Sequence, residues 1–274
     1  MQKRQYRSRG LLILAACVLV AGPMLAQQAS PAAPAPAEPT VSSRVALSGL
    51  IALTESQLSA RVGTLEALAL TDEARSAGWT RIGPLLERLS WVQDSSAVAW
   101  FMLPDGSYYA TGKGLASGIL KDRPYFLEVM AGRTSVGTLV ISKSTGRDVV
   151  VVVVPIKNAK GLVVGALGAS IYLDTMSEWL ARALMLPPGL VFYALDPQGN
   201  TALHVKTVHV FEDAANQGSP TLTQAVKTML EQDHGTVTYD FEGTTRQVMF
   251  QASPLTGWKF ALGTILGQPP APGK

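Results

Sequence analysis

From position 42 onward, apolar residues fall at Leu47, Leu50, Ile51, Leu58, Val62, Leu65 and Leu68. Steps of three, four and seven put these side chains on one side of a helix. The segment 41–74 is long for a globular helix, and Ser42 or Ser43 offers a hydroxyl to cap its first turn. A shorter helical piece follows around "IGPLLERLSW". The period then drops to two. "SAVAWFML" and "SYYATG" read as strands joined by "PDG", a hairpin turn. "DRPYFLEVMAG" reads as a helix stopped by Gly132, with Asp122 as its cap and Pro124 in its first turn. "TSVGTLVIS", "DVVVVVVPI" and "LVVGALGASI" follow as strands, separated by "KSTGR" and "KNAKG". Val149–Val154 lacks polar alternation and predicts a strand covered on both faces, and turns this short require antiparallel neighbours.

The same order then returns. "GLVFYALDPQGNTALHV" is strand, turn, strand. "SPTLTQAVKTMLEQDHG" is a helix ending in Gly, and "TVTYDF", "QVMFQASP" and "WKFALGTI" are three strands with two turns. "LDTMSEWLARAL" is a helix joining the copies. The expectation is an α+β fold, with two antiparallel-sheet modules (75–175 and 176–266) strung off one long helix.

The ends change the charge picture. Residues 1–26 begin "MQKRQYRSRG" and continue into an apolar run that closes on small residues, the pattern of an export signal. The run is shorter than the ~20 residues of a comfortable membrane span. "LAAC" also has the form of a lipoprotein box, which would make Cys17 a lipidation site. Residues 27–40 form a Pro/Ala tether and 267–274 a proline-rich tail. The formal net charge of +3 includes four basic residues of the head, so the remainder carries −1. Nucleic acid is therefore not an expected partner. The single cysteine lies in the head, which leaves the exported chain without disulfides or thiol chemistry.

No H-E-x-x-H, G-x-S-x-G or P-loop occurs, and no spacing pairs two acids for catalysis. No enzyme activity, metal or cofactor is expected. "GKGLASG" (112–118) reads as a mobile loop, and His204, His209 and His234 as exposed turn residues. The tryptophans lie in apolar runs and read as core. Tyr108 and Tyr109 are strand neighbours on opposite faces, and Tyr109 is taken as a pocket candidate. Capping explains Asp122 and Pro124 but not Arg123, because a cation at a helix N-terminus is slightly unfavourable. An anion held between that arginine and the helix would explain it.

The block R-P-Y-F (Arg123 to Phe126), "S-x-S-T-G" (142–146) and "P-I…G-x-V-V-G-x-x-G-A-x-I-x-L-D" (155–174) resemble the Cache domains, extracytoplasmic sensor modules of bacterial receptors. With the second half the resemblance covers about 42–266 and is to the double Cache type. It implies a small ligand in the first module, with Arg123, Tyr125, Phe126, Ser142, Ser144 and Ser170 as site candidates. In the amino-acid-binding branch an arginine takes the ligand carboxylate and aspartates its ammonium. Here Ser142 and Ser170 stand where those aspartates align, and Gly118 where a tyrosine is usual. A buried ammonium without a carboxylate is costly, so the expected ligand is an anion such as a small carboxylate. The resemblance implies an exported, periplasmic sensor acting with a separate membrane receptor or kinase, and the long helix suits a homodimer. A protein-interaction or scaffolding module without a small ligand is the alternative, and an enzyme with an unmarked site a weaker one.

Overall fold

In a computed structural model of the chain, residues 42–187 and 189–267 are described; the head with Cys17, the tether and the tail beyond Gly267 lie outside them. Helix α1 spans Ser43–Ala69. Ser42 caps it, its hydroxyl accepting from the Val45 amide at 3.3 Å. The helix ends before 74 because Thr71 turns the chain: its hydroxyl donates to the Leu68 carbonyl and accepts from the Ala74 amide. Three short helices follow, α2 (Asp72–Arg75), α3 (Trp79–Leu86) and α4 (Ser90–Gln93).

The first sheet comprises β1 (Ala97–Met102), β2 (Ser107–Ala110), β3 (Gly114–Ile119), β4 (Ser135–Ile141), β5 (Asp148–Lys157) and β6 (Val163–Tyr172). It is antiparallel throughout, in the order β3-β2-β1-β6-β5-β4. Helix α5 (Phe126–Met130) joins β3 to β4, and α6 (Leu173–Leu184) leads to the second sheet. That sheet contains β7 (Leu190–Leu195), β8 (Thr201–His204), β9 (His234–Phe241), β10 (Thr244–Ala252) and β11 (Lys259–Gly267), in the order β8-β7-β11-β10-β9. Helix α7 (Pro220–Glu231) connects β8 to β9.

Strand alternation distributes the core. Val150, Val152, Val154, Leu167 and Ala169 point toward α1, where Leu47, Leu50, Leu58 and Leu65 meet them. Phe192, Ala194, Phe260 and Leu262 of the second sheet, with Trp258 just ahead of β11, close the same cluster. The apolar stripe of α1 is thus occupied by the chain's own two sheets. Val149, Val151, Val153, Trp100 and Met102 face the other way, toward α5. The second sheet repeats this layout, with Val191, Tyr193, Tyr239 and Val248 facing α7. The valine run is buried on both faces, as its lack of alternation predicts.

Three local expectations change. "GKGLASG" is not a loop: its residues from Gly114 enter edge strand β3, paired as Ala110↔Gly114 and Tyr109↔Leu115. Small residues give such a strand no apolar alternation to read. Asp122 caps nothing and Pro124 lies outside the helix. Backbone bonds from Arg123 N to Leu120 O and from Phe126 N to Arg123 O make a separate turn first, so α5 starts only at Phe126. Gly132 does stop that helix, at φ +83°. Helix α7 ends at Glu231, and Gly235 lies within β9, facing the Phe250 ring. Among the described residues no helix is long and apolar enough to cross a membrane.

Candidate functional site

The register of the first sheet decides which aromatic side chains meet α5. Met102 pairs with Tyr108 and Phe101 with Tyr109, so Tyr108 shares the face of Trp100 and Tyr109 takes the opposite one. Tyr109 stacks on Trp79 at 5.4 Å on the α1 side. It is therefore away from the pocket beside α5, and Tyr108 occupies the place expected of it. Phe126 is buried in the apolar cluster under α5 without reaching the pocket lining.

Arg123, Tyr125, Ser142, Ser144 and Ser170 line one pocket together with Trp100 and Tyr108. They come from four places: the turn before α5, the β4–β5 turn, β1–β2 and β6. Trp100 forms the floor. Its indole N–H donates to Ser170 Oγ at 3.0 Å, and its ring stacks on Tyr125 at 5.8 Å. Room for that indole comes from Gly168, where a Cβ would stand 2.1 Å from the ring. Ser142 and Ser144 hydroxyls lie 3.2 Å apart on the opposite wall.

Two polar atoms in this pocket are buried without a hydrogen-bond partner, the Tyr108 hydroxyl and Arg123 Nε. Such atoms are uncommon, and leaving one unsatisfied costs about 1–3 kcal/mol. Arg123 is held in place through its Nη2, which donates to the Ile141 carbonyl at 2.6 Å. Burial raises the Tyr108 and Tyr125 hydroxyls above the ordinary phenol value. Both therefore remain protonated donors. No acid lines the pocket. The nearby Asp122 is exposed and held by Lys143 at 2.7 Å, a hydrogen bond that lowers its carboxyl below the usual range.

Two lysines close the rim. Lys113 donates to the Ser144 carbonyl, and Lys143 donates to Ile119 O at 2.6 Å as well as to Asp122. Both bonds tie the β2–β3 segment or its exit to the β4–β5 turn. The enclosed volume is about 10 Å³, room for no more than a water. Neither lysine is marked by any motif. Their part emerges only once the register brings "GKG" and "SKS" together.

A second polar cluster lies in the second sheet, where sequence spacing gave no hint of one. His204 belongs to β8 and is 6% exposed, so it is not a turn residue at the surface. His209 follows in a 3-10 turn (Thr207–His209) and packs edge-on against it at 4.8 Å. Only His234 is exposed as expected. Burial lowers the His204 imidazole from 6.5 to about 4, and its Nδ1 accepts from the Lys206 amide at 2.9 Å. Below pH 6.5 the unfolded chain takes up a proton that the folded chain refuses. Stability should therefore fall as pH drops from 6.5 toward 4 and level off below, by on the order of 2–3 kcal/mol. Urea unfolding across that window checks this, and His204→Gln should flatten the dependence. Equal slopes in the two proteins would refute the assignment.

No family model and no curated protein matches the sequence. Solved structures do match. The ligand-binding domain of the Pseudomonas aeruginosa amino acid chemoreceptor PctB, in complex with L-Arg, superposes with a TM-score of 0.63 at 18% identity, covering 82% of this chain and 92% of that one. The ligand-binding domain of the Pseudomonas fluorescens chemoreceptor CtaA, in complex with L-serine, gives 0.61 at 18% identity, covering 81% and 93%. The sensory domain of the Campylobacter jejuni chemoreceptor Tlp3, with isoleucine bound, gives 0.59 at 14% identity, covering 82% and 91%. At such identities the likeness is one of fold. The fold is the double Cache arrangement of chemoreceptor ligand-binding domains.

Proposed function

We propose that this chain is an extracytoplasmic sensor, not an enzyme, that takes a small carboxylate in its first module and passes the bound state to a separate membrane signalling protein. The observation that carries this reading is the pair of buried, unpartnered groups, Tyr108 hydroxyl and Arg123 Nε, set in one pocket without an acid. A carboxylate accepts from both, and a guanidinium binds it in a fixed fork. An α-amino acid suits the pocket less well, because its ammonium would be buried with only serine hydroxyls and the Trp100 and Tyr125 rings around it. Ser142 and Ser170 stand where the resemblance places ammonium-binding aspartates. The fold's relatives in complex with L-Arg, L-serine and isoleucine make amino acids the natural competitors.

Entry requires the rim to open. Breaking the Lys113–Ser144 and Lys143–Ile119 bonds frees the β4–β5 turn to move away from β3. Ligand occupancy is then coupled to the spacing of β3 and β4, the two edges of the first sheet. That movement supplies the change a membrane partner would read.

Thermal unfolding against matched pairs tests the proposal: propionate with L-alanine, and 4-methylpentanoate with L-leucine. A ligand at a hundredfold its dissociation constant stabilises by roughly 2.7 kcal/mol, a midpoint rise on the order of 5–10 °C for a domain of this size. The desamino member of a pair should give the larger shift. A larger shift with the amino acid would overturn the carboxylate assignment, and no shift with any small carboxylate would overturn the sensor reading.

A further inference from the structure

The second module has a pocket in the corresponding place. In element order β7, β8, α7, β9, β10 and β11 repeat β1, β2, α5, β4, β5 and β6. In both modules the pocket lies on the sheet face turned away from α1, beside the segment that links the second strand to the helix. Both contain one arginine and two tyrosines. In the second module these are Arg246 on β10, Tyr193 on β7 and Tyr239 on β9. Leu195, Leu222 and Phe241 supply apolar wall, and the enclosed volume is about 30 Å³.

Glu212 lines this pocket, and a second carboxylate, Glu242, gathers three basic side chains at its edge. Glu242 accepts from Lys206 Nζ at 2.6 Å, from Arg246 Nη2 at 2.8 Å and from His209 Nε2 at 3.1 Å. His209 Nδ1 faces Glu212 at 2.9 Å, so the ring lies between two carboxylates. The Arg246 side chain is 4% exposed and its guanidinium covers the Phe241 ring at 4.7 Å. Glu242, by contrast, sits at the tip of the β9–β10 hairpin with φ +49°, followed by Gly243 at +70°. That is a two-residue turn of the primed type, which places Glu242 at the edge of the cluster. Arg246 and His209 are the more buried partners, Lys206 is exposed, and Glu242 reaches in from the partly exposed hairpin tip.

We propose that the second module holds its own site for a short monocarboxylate, in which the ligand's carboxylate replaces that of Glu242 on Arg246, His209 and Lys206. Glu242 acts as a resident counter-ion that holds the pocket closed. The aromatic and aliphatic walls take the ligand's alkyl end. The two pockets share no residue, so this site stands or falls independently of the one at Arg123.

The chain has three histidines, and two of them line this pocket. Histidine-ring NMR therefore reports on it directly, with exposed His234 as the internal control. The titration uses acetate and propionate on the full chain carrying Arg123→Ala, with sodium chloride at equal ionic strength alongside. Saturable shifts of His204 and His209 with His234 unmoved are expected for the carboxylates and not for chloride. Glu242→Gln removes the competitor and should tighten binding several-fold, because the closed state no longer holds back the competent one. Arg246→Lys keeps the charge but loses the fork, and should weaken binding about tenfold or more. No saturable shift in either the Arg123→Ala chain or its Glu242→Gln derivative would overturn the site. So would unchanged affinity in Arg246→Lys, or equal shifts with chloride.

Discussion

Replacing Arg123 by alanine should weaken binding of the stabilising carboxylate by between about 30-fold and several thousandfold. Truncating one partner of a buried, hydrogen-bonded charge pair costs roughly 2–5 kcal/mol, and each 1.4 kcal/mol is about tenfold in affinity. Isothermal titration of wild type and variant with the same ligand measures it. The variant also loses the bond from Nη2 to Ile141 O, worth only about 1 kcal/mol of stability. Its unliganded midpoint should therefore move by a few degrees at most. Arg123→Lys separates charge from geometry. It retains the cation without the planar fork and should fall between the two. Affinity within threefold of wild type in Arg123→Ala would remove the arginine from the site.

The outline of the fold was legible because both modules announce themselves by period. The valine run, the turn segments and the Gly stop at 132 are local signals, and local physics determined them. Neither β3 nor the exact start of α5 could be read in the same way. Small residues in β3 carry no alternation, and the turn before α5 is made by backbone bonds that any side chain permits. Arg123 drew attention as a cation near a predicted helix start, although it lies in a separate turn ahead of α5. Tyr108 was not separable from Tyr109, since choosing between them needs the pairing of β2 with β1 and therefore an absolute register. The second cluster was invisible for a related reason. His204, His209, Glu242 and Arg246 come from β8, a 3-10 turn, a hairpin tip and β10, and only the closed sheet brings them within hydrogen-bonding distance. Sequence spacing treated the histidines as solvent-facing, but β8 packs against α6 and the 3-10 turn, which buries one of them.

Trp258→Ala should be the most damaging substitution of the fold. The indole is fully buried in the cluster shared by α1 and both sheets. Its N–H donates across the modules to the Gly137 carbonyl at 3.0 Å, linking residues 121 positions apart. Gly137 sits at a break in the β4–β5 register with φ +93°, so its carbonyl is turned out of the ladder and has the indole as its partner. Removing a buried tryptophan costs about 3–5 kcal/mol through the cavity and lost transfer energy, and the stranded carbonyl adds on the order of 1 kcal/mol. A fall in melting temperature of roughly 10 °C or more follows for a domain of this size. Trp258→Phe divides the effect, since it keeps most of the ring but not the donor, and should lose about 1–3 kcal/mol. Thermal unfolding followed by circular dichroism measures both variants, and a midpoint within 2 °C of wild type in Trp258→Ala, against the ~10 °C expected, would show that the shared core is not what holds the two sheets together. Because Gly137 lies on β4, which leads into the turn carrying Ser142 of the first pocket, the same bond ties the second module to the strand that the proposed opening would move. Trp258→Phe should accordingly leave carboxylate affinity within a few-fold while separating the unfolding of the two modules.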